Sequence, residues 1–172
     1  LGGNYLAAGI EHNEHGDPTV SGKIHALMNE KRFKKLSPLQ HRDDLFSVEG
    51  NPDARLALVS WGSNAGVCRE ARALAAKQGL EVKLLVPYLL YPVAEEVYRQ
   101  FFASVEAGLV VEQSHQGQLC RILRMFIDVP RGVVSLARSG ANPFQPAEVA
   151  AQLSALALGL QRRASDLREP LE

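Results

Sequence analysis

The sequence predicts an α/β fold: a parallel sheet with helices packed on both faces. Three observations predict it. Residues 56–60 (LALVS) form a short, continuous apolar run, the pattern of a strand buried on both sides. That run ends in Gly62-Ser63-Asn64 and enters an amphipathic segment over 67–78, which makes a strand–turn–helix unit. Similar units recur downstream, and strands that alternate with helices pair in parallel through crossovers.

Taken in order, residues 1–10 read as an edge strand or the tail of a preceding domain. Residues 11–18 (EHNEHGDP) are polar and end in turn residues, so they form a loop. Thr19 or Ser21 caps a helix expected to run to about Leu36, with Ile24, Leu27, Met28 and Leu36 on one face. Lys31, Arg32, Lys34 and Lys35 suit the negative end of its dipole, and Ser37-Pro38 stops it. Residues 39–44 are polar and irregular, 45–49 (LFSVE) make a short strand, and Gly50-Asn51-Pro52-Asp53 is a turn.

The central unit follows. Ser63 or Asn64 caps its helix, Ala71, Leu74 and Ala75 recur at helical spacing, and Gly79 sits at the C′ position. Residues 82–87 (VKLLVP) are the next strand. After a loop at 88–91, Pro92 stands where a first helical residue tolerates proline, and Val93, Val97, Phe101 and Phe102 mark the packed side. Residues 108–112 (GLVVE) are a third buried strand and 113–117 its turn. Leu119, Ile122, Leu123 and Phe126 mark the next helix, and 133–136 (VVSL) a fourth strand of this series. The loop 139–144 leads into a last helix from Pro146 to about Arg163, packed through Leu153, Leu156 and Leu160. Residues 166–172 are polar and fray. The stretch 37–53 is the one internal boundary, dividing an N-terminal arm and helix (1–44) from a compact domain (45–172).

The chain has 172 residues, 46% of them apolar and 22% charged, enough for one domain with a sizeable core. Nineteen basic residues balance nineteen acidic ones, so no basic field recruits nucleic acid. No apolar run reaches the roughly 18–20 residues of a membrane helix. The two cysteines, Cys68 and Cys120, are far apart and form no CxxC pair. That argues against a disulfide framework, a zinc site or an iron–sulfur site, and it fits a reducing cytoplasm. The chain starts at Leu1 without a methionine or a signal pattern, and is expected to be a piece of a longer polypeptide.

Several constellations invite chemistry. Gly62 to Gly66 lies between a strand and a helix, where backbone N–H groups hold a phosphate or simply make a tight turn. It is neither GxGxxG, since Asn64 fills the second glycine position, nor a P-loop. The nucleophile elbow around Ser63 fails because Trp61 and Ala65 stand where glycines are needed. The strand ends near 60–63, 87–91, 112–116 and 137–140 gather on the carboxyl edge, where open α/β sheets bind ligands. This places Glu112, His115 and Gln118 to meet a ligand or a partner chain, or to form a solvated rim. His12 and His15, with Glu11 and Glu14, put ligand-type residues on one loop; a partner-facing loop is the preferred reading over a metal site.

Three motifs line up in register. The first is Ala8-Gly9-Ile10-Glu11-His12-Asn13-Glu14-His15-Gly16 with the later Lys31-Arg32-Phe33-Lys34-Lys35-Leu36. The second is Val59-Ser60-Trp61-Gly62-Ser63 followed by Gly66 and Arg69-Glu70-Ala71. The third is Val110-Val111-Glu112-Gln113 followed by Gly117-Gln118-Leu119. In this order and spacing the chain resembles the C-terminal part of the alpha subunit of 2-oxoacid:ferredoxin oxidoreductases, the 2-oxoglutarate-type enzymes more than the pyruvate ones. It departs from the family at Ala8, where the family has threonine, and at Asn64.

The resemblance implies a three-layer α/β/α fold like the transketolase C-terminal domain. Its five-stranded mixed sheet is mostly parallel, with the first strand, here 45–49, antiparallel. It also implies an oxidative decarboxylation of a 2-oxo acid, 2-oxoglutarate or pyruvate, with coenzyme A as acyl acceptor and ferredoxin as electron acceptor. Thiamine diphosphate, magnesium and iron–sulfur clusters would serve that reaction in other domains. This chain would hold no cofactor and no catalytic residue. Its implied partners are the preceding domain of the same subunit, the beta subunit, ferredoxin through the intact enzyme, and a second copy as a homodimer. His12, Glu14, Ser63, Glu112, His115 and Gln118 are then expected at the interface or the active-site entrance. The competing expectation is a free-standing α/β module that binds a phosphorylated ligand at Gly62–Gly66.

Overall fold

The computed structural model describes residues 9–166, with side chains to residue 162. The expectations for residues 1–8, Ala8 of the arm motif included, and for the tail 167–172 lie outside the described residues. Two compact units are present, Leu1–His41 and Arg42–Glu172.

Among its described residues the first unit holds one α-helix, α1 (Gly22–Leu36), capped by Ser21, whose hydroxyl accepts the Ile24 N–H at 3.5 Å. Ser37-Pro38 does not end the coil outright. Ser37 still donates its N–H to Phe33 O, and a 3₁₀ turn, Ser37–His41, follows. The apolar face is also narrower than its periodicity suggests: within α1 only Met28 is buried, while Leu27, Phe33 and Leu36 are exposed.

In the second unit, a 3₁₀ turn (Asp43–Leu45) leads into β1 (Phe46–Glu49). Next come β2 (Leu56–Ser60), α2 (Asn64–Lys77), β3 (Val82–Pro87) and α3 (Glu95–Phe102). The chain continues through β4 (Ala107–Glu112), α4 (Gln118–Phe126), β5 (Gly132–Ala137) and α5 (Pro146–Asp166). The strand order is β1-β3-β2-β4-β5, with β1 antiparallel to β3 and every other pair parallel. This is the mixed, mostly parallel sheet of a three-layer α/β/α fold, with the short first strand as its antiparallel edge.

Each face of the sheet carries its own core. Leu56, Leu58, Leu84 and Leu109 pack under α2 and α5 through Ala71, Ala75, Val149 and Leu153. Val59, Leu85 and Val110 pack under α3 and α4 through Tyr98, Phe101, Phe102, Leu119 and Leu123. The α2 helix closes as expected at Gly79 (φ +76°): Gly79 N–H reaches Ala76 O and Leu80 N–H reaches Ala75 O, satisfying the last carbonyls. Gly108 lets β4 approach β2, since a Cβ there would stand 2.4 Å from Ala57 O.

One start differs from expectation. Pro92 is not the first residue of α3. Ala94 holds a non-helical φ of −81° and ψ of 76°, and the helix begins at Glu95, where Glu95 and Glu96 suit the positive end of the dipole.

Candidate functional site

The carboxyl ends of four parallel strands, at Ser60, Pro87, Glu112 and Ala137, lie on one edge. Strand order reverses there. From β2 the chain goes out to β3 on one side, then crosses back to β4 on the other. The loops after β2 and β4 therefore flank the switch point, the usual ligand crevice of open α/β sheets. Ser60 ties the two ends together by donating its hydroxyl to Val111 O at 2.9 Å.

Glu112 is fully buried, and both its oxygens are used within the chain. Oε2 accepts the Ser114 hydroxyl at 2.8 Å and the Leu119 N–H at 2.9 Å, and Oε1 accepts the Cys120 N–H at 3.1 Å. Ser114 Oγ accepts the Gln118 N–H at 3.2 Å. The N-terminus of α4, a natural anion site, is thus filled by the carboxylate that ends β4. The loop reaches this geometry through two left-handed residues, Gln116 (φ +71°) and Gly117 (φ +66°).

His115 and Gln118 are exposed beside it. His115 Nδ1 meets Ser139 Oγ at 3.0 Å, and Gln113 Nε2 donates to Gly140 O and Asn142 O. These bonds join the loop after β4 to the loop after β5. Ser63 is exposed at the head of α2 and is no partner of His115. It occupies the N-cap position but takes helical angles, φ −64° and ψ −26°, from which its hydroxyl caps nothing. The expected cap by Ser63 or Asn64 is therefore corrected: capping needs an extended residue, and Asn64 is already the first residue of the helix, buried. Two donors of the α3–α4 side, Trp61 Nε1 and Tyr98 Oη, are buried without a partner among the described residues.

The first unit carries His12 and Glu14. His12 Nδ1 lies 2.7 Å from Asn13 O; a carbonyl only accepts, so Nδ1 carries the proton. Glu14 is exposed and pairs with Lys31 at 3.4 Å. The centre of the arm is a residue that pattern reading left in the background, Glu11. Its Oε1 takes Arg32 Nη2 at 2.9 Å and its Oε2 takes His25 Nδ1 at 2.5 Å. Asn29 closes the ring, donating to His25 Nε2 at 2.9 Å and accepting from Arg32 Nη1 at 3.1 Å. Arg32 first and His25 second hold the Glu11 carboxyl at a pKa of about 2. The signal was available: His25, Asn29 and Arg32 recur at helical spacing on one face.

No family model matches the chain. Its curated relatives include the alpha subunit of 2-oxoacid:ferredoxin oxidoreductase 2 of Aeropyrum pernix, 28% identical over 84% of this chain and 23% of that one. The 2-oxoglutarate synthase subunit KorA of Methanocaldococcus jannaschii is 24% identical over 86% of this chain and 39% of that one. Among solved structures, the 2-oxoglutarate:ferredoxin oxidoreductase of Magnetococcus marinus superposes with a TM-score of 0.77 at 32% identity, over 89% of this chain and 27% of that one. The chain is a relative of the 2-oxoacid:ferredoxin oxidoreductase alpha subunits. It spans about a quarter of the first of these relatives and of the solved enzyme. A split-gene transketolase (TM-score 0.51, 16% identity, over 64% of this chain and 40% of that one) shares the fold.

The Magnetococcus marinus oxidoreductase was solved with 2-oxoglutarate, coenzyme A and succinyl-CoA bound. An iron–sulfur cluster needs converging thiolates. In this chain, Cys68 packs in the core under α2 and α5 and Cys120 in the core under α3 and α4, so the sheet separates them. Burial also pushes the Cys68 thiol up to about 11, away from thiolate. These residues do not fit a cluster. Among the described residues no three His, Cys, Asp or Glu side chains converge as metal ligands. No helix among the described residues is long and apolar enough to cross a membrane.

Proposed function

We infer that this chain is the C-terminal, transketolase-like domain of the alpha subunit of a 2-oxoacid:ferredoxin oxidoreductase. The intact enzyme oxidatively decarboxylates 2-oxoglutarate or pyruvate, passing the acyl group to coenzyme A and electrons to ferredoxin, in the cytoplasm. Thiamine diphosphate, magnesium and iron–sulfur clusters belong to its other domains. This domain performs no bond chemistry. It packs against the preceding domain and the beta subunit, and against a second copy where the enzyme dimerises, and it shapes the entrance to the active site.

The observation that supports this most is the superposition on the Magnetococcus marinus enzyme across nearly nine tenths of the chain. The arm fits an interface: its hydrogen-bond ring makes the loop rigid, while Leu27 and Phe33 of α1 stay exposed. At the carboxyl edge, Ser63, His115 and Gln118 are the residues that face outward, and Glu112 holds the loop that presents the latter two.

The test uses the complete enzyme containing this chain. Coenzyme A-dependent ferredoxin reduction is measured with 2-oxoglutarate and with pyruvate, and assembly by sedimentation. The His12→Ala/Glu14→Ala double variant is expected to impair assembly or activity. No reduction with either acid overturns the family reading; an unaffected double variant removes the interface role of the arm.

One observation favours the module reading as a second possibility to test. Unlike α4, the head of α2 has no side-chain cap from its N-cap residue, Ser63. Titration of the chain with coenzyme A and nucleoside phosphates decides it; no binding removes it.

A further inference from the structure

The strand β3 breaks its own pattern at Lys83. Its neighbours Val82 and Leu84 are apolar, yet Lys83 is only 2% exposed. Nζ donates to Pro52 O at 2.7 Å and to Ser104 Oγ at 2.8 Å, and lies 5.0 Å from the centre of the Phe101 ring. Both hydrogen-bond acceptors are neutral, and Asp53 acts on the ammonium through its charge without a direct ion pair among the described residues. An ammonium has three protons to donate, and two are used. Burying a charge is costly, and desolvation lowers the Lys83 pKa against the opposing pull of Asp53. A peg that only had to bridge Pro52 and Ser104 would need no charge.

Beside Lys83, a cavity of about 400 Å3 opens along β1 and α3. Its walls include two rings, Phe46 and Phe101, and two valines, Val48 and Val97. Asp43, exposed, is the acidic residue of the lining. The volume is within the range of small-molecule sites, which are mostly apolar with a few placed polar groups. A dry apolar cavity of roughly 150 Å3 already accepts a benzene ring, so a ring or short chain with a polar head fits here.

We propose that this cavity binds a small monocarboxylate with an apolar body, its carboxylate on Lys83 and its ring or chain between Phe46 and Phe101. The carboxylate takes the third ammonium proton and supplies the direct ion pair that Asp53 does not make. Asp43 repels a second negative charge, which selects against dicarboxylates. The site lies between β1 and α3 and does not depend on the oxidoreductase reading.

The test is an NMR titration of the purified 172-residue chain with benzoate, glutarate and benzylamine. Benzoate is expected to shift the amide signals of Val48, Val97 and Phe101, with a Kd in the millimolar range expected of so few contacts. Glutarate is expected to bind at least about tenfold more weakly, and benzylamine not at all. Lys83→Met, which keeps the apolar stem, is expected to abolish binding. Val97→Phe fills the cavity and leaves the ammonium in place; it is expected to abolish binding too, and it decides alone if Lys83→Met does not fold. The proposal is overturned by no shift up to about 50 mM benzoate, by shifts confined to other residues, by benzylamine binding as well as benzoate, or by Val97→Phe binding normally.

Discussion

Glu112 and Leu119 are joined by a 2.9 Å hydrogen bond from the backbone N–H of Leu119 to the carboxylate of Glu112, so the last residue of β4 caps the helix that follows it. With the Cys120 N–H and the Ser114 hydroxyl on the same buried group, Glu112→Ala leaves three donors without their acceptor. Hydrogen bonds to a charged group are worth about 1.5–3 kcal/mol each in favourable cases and are not additive, so a loss of about 3 kcal/mol is expected. Glu112→Gln keeps one acceptor oxygen and is expected to lose about half of that. Urea denaturation of the two variants measures both; equal stability with the parent would show that the cap contributes nothing.

Gly108→Ala tests the contact between β4 and β2. The new methyl would stand 2.4 Å from Ala57 O, a backbone atom in the middle of the sheet. Overpacking of this kind costs about 1–3 kcal/mol or more. The expected result is a fall in Tm with the m-value retained; an unchanged Tm would mean that the two strands sit further apart.

Tyr98→Phe is expected to be neutral or stabilising by up to about 1 kcal/mol, because it removes a buried hydroxyl without a partner and keeps the ring against Phe46 and Phe102. Burial also raises the Tyr98 pKa, so the ring should remain a phenol throughout the alkaline range in which the fold survives. Absorbance at 295 nm during an alkaline titration checks the second point. A loss of stability above about 1 kcal/mol in the phenylalanine variant would show that the hydroxyl has a partner.

The arm should respond to acid through Glu11. Its folded pKa of about 2 lies below the ordinary 4.5, because Arg32 and then His25 favour the charged form. The sign follows: the link stabilises the arm fully above pH 4.5 and is lost as pH falls through about 2. The carboxyl carbon shift of Glu11, followed by NMR as the pH is lowered, is expected to reach its midpoint near 2. A midpoint near 4.5 would mean that the ring with Arg32, Asn29 and His25 does not form in solution.

How far the sequence could be read depended on whether a residue's role was local. The mainly apolar runs of β2 and β3 gave their bounds directly, since strands buried on both faces leave no alternation to misread. Gly79 announced its own helix end. The antiparallel placement of β1 was not in its four residues and came through family resemblance. Glu112 was placed on the correct edge, but whether its side chain faced outward or turned back to α4 depended on two left-handed residues in the intervening loop. Lys83 hid inside an apolar run, and Glu11 beside two histidines that drew attention as ligands. In each of these cases the deciding partner is distant in sequence: Ser104 and Pro52 for Lys83, Arg32 and His25 for Glu11.

The crossing between β3 and β4 also sets a timetable. β2 acquires β3 as a neighbour after one helix, but its other neighbour, β4, lies 51 residues away along the chain at the Ser60–Val111 bond. The middle of the sheet therefore cannot close until β3 and α3 have both been made and the chain has doubled back over them. Such non-local pairing slows folding. During synthesis, β2 must wait with one edge open until β4 has left the ribosome.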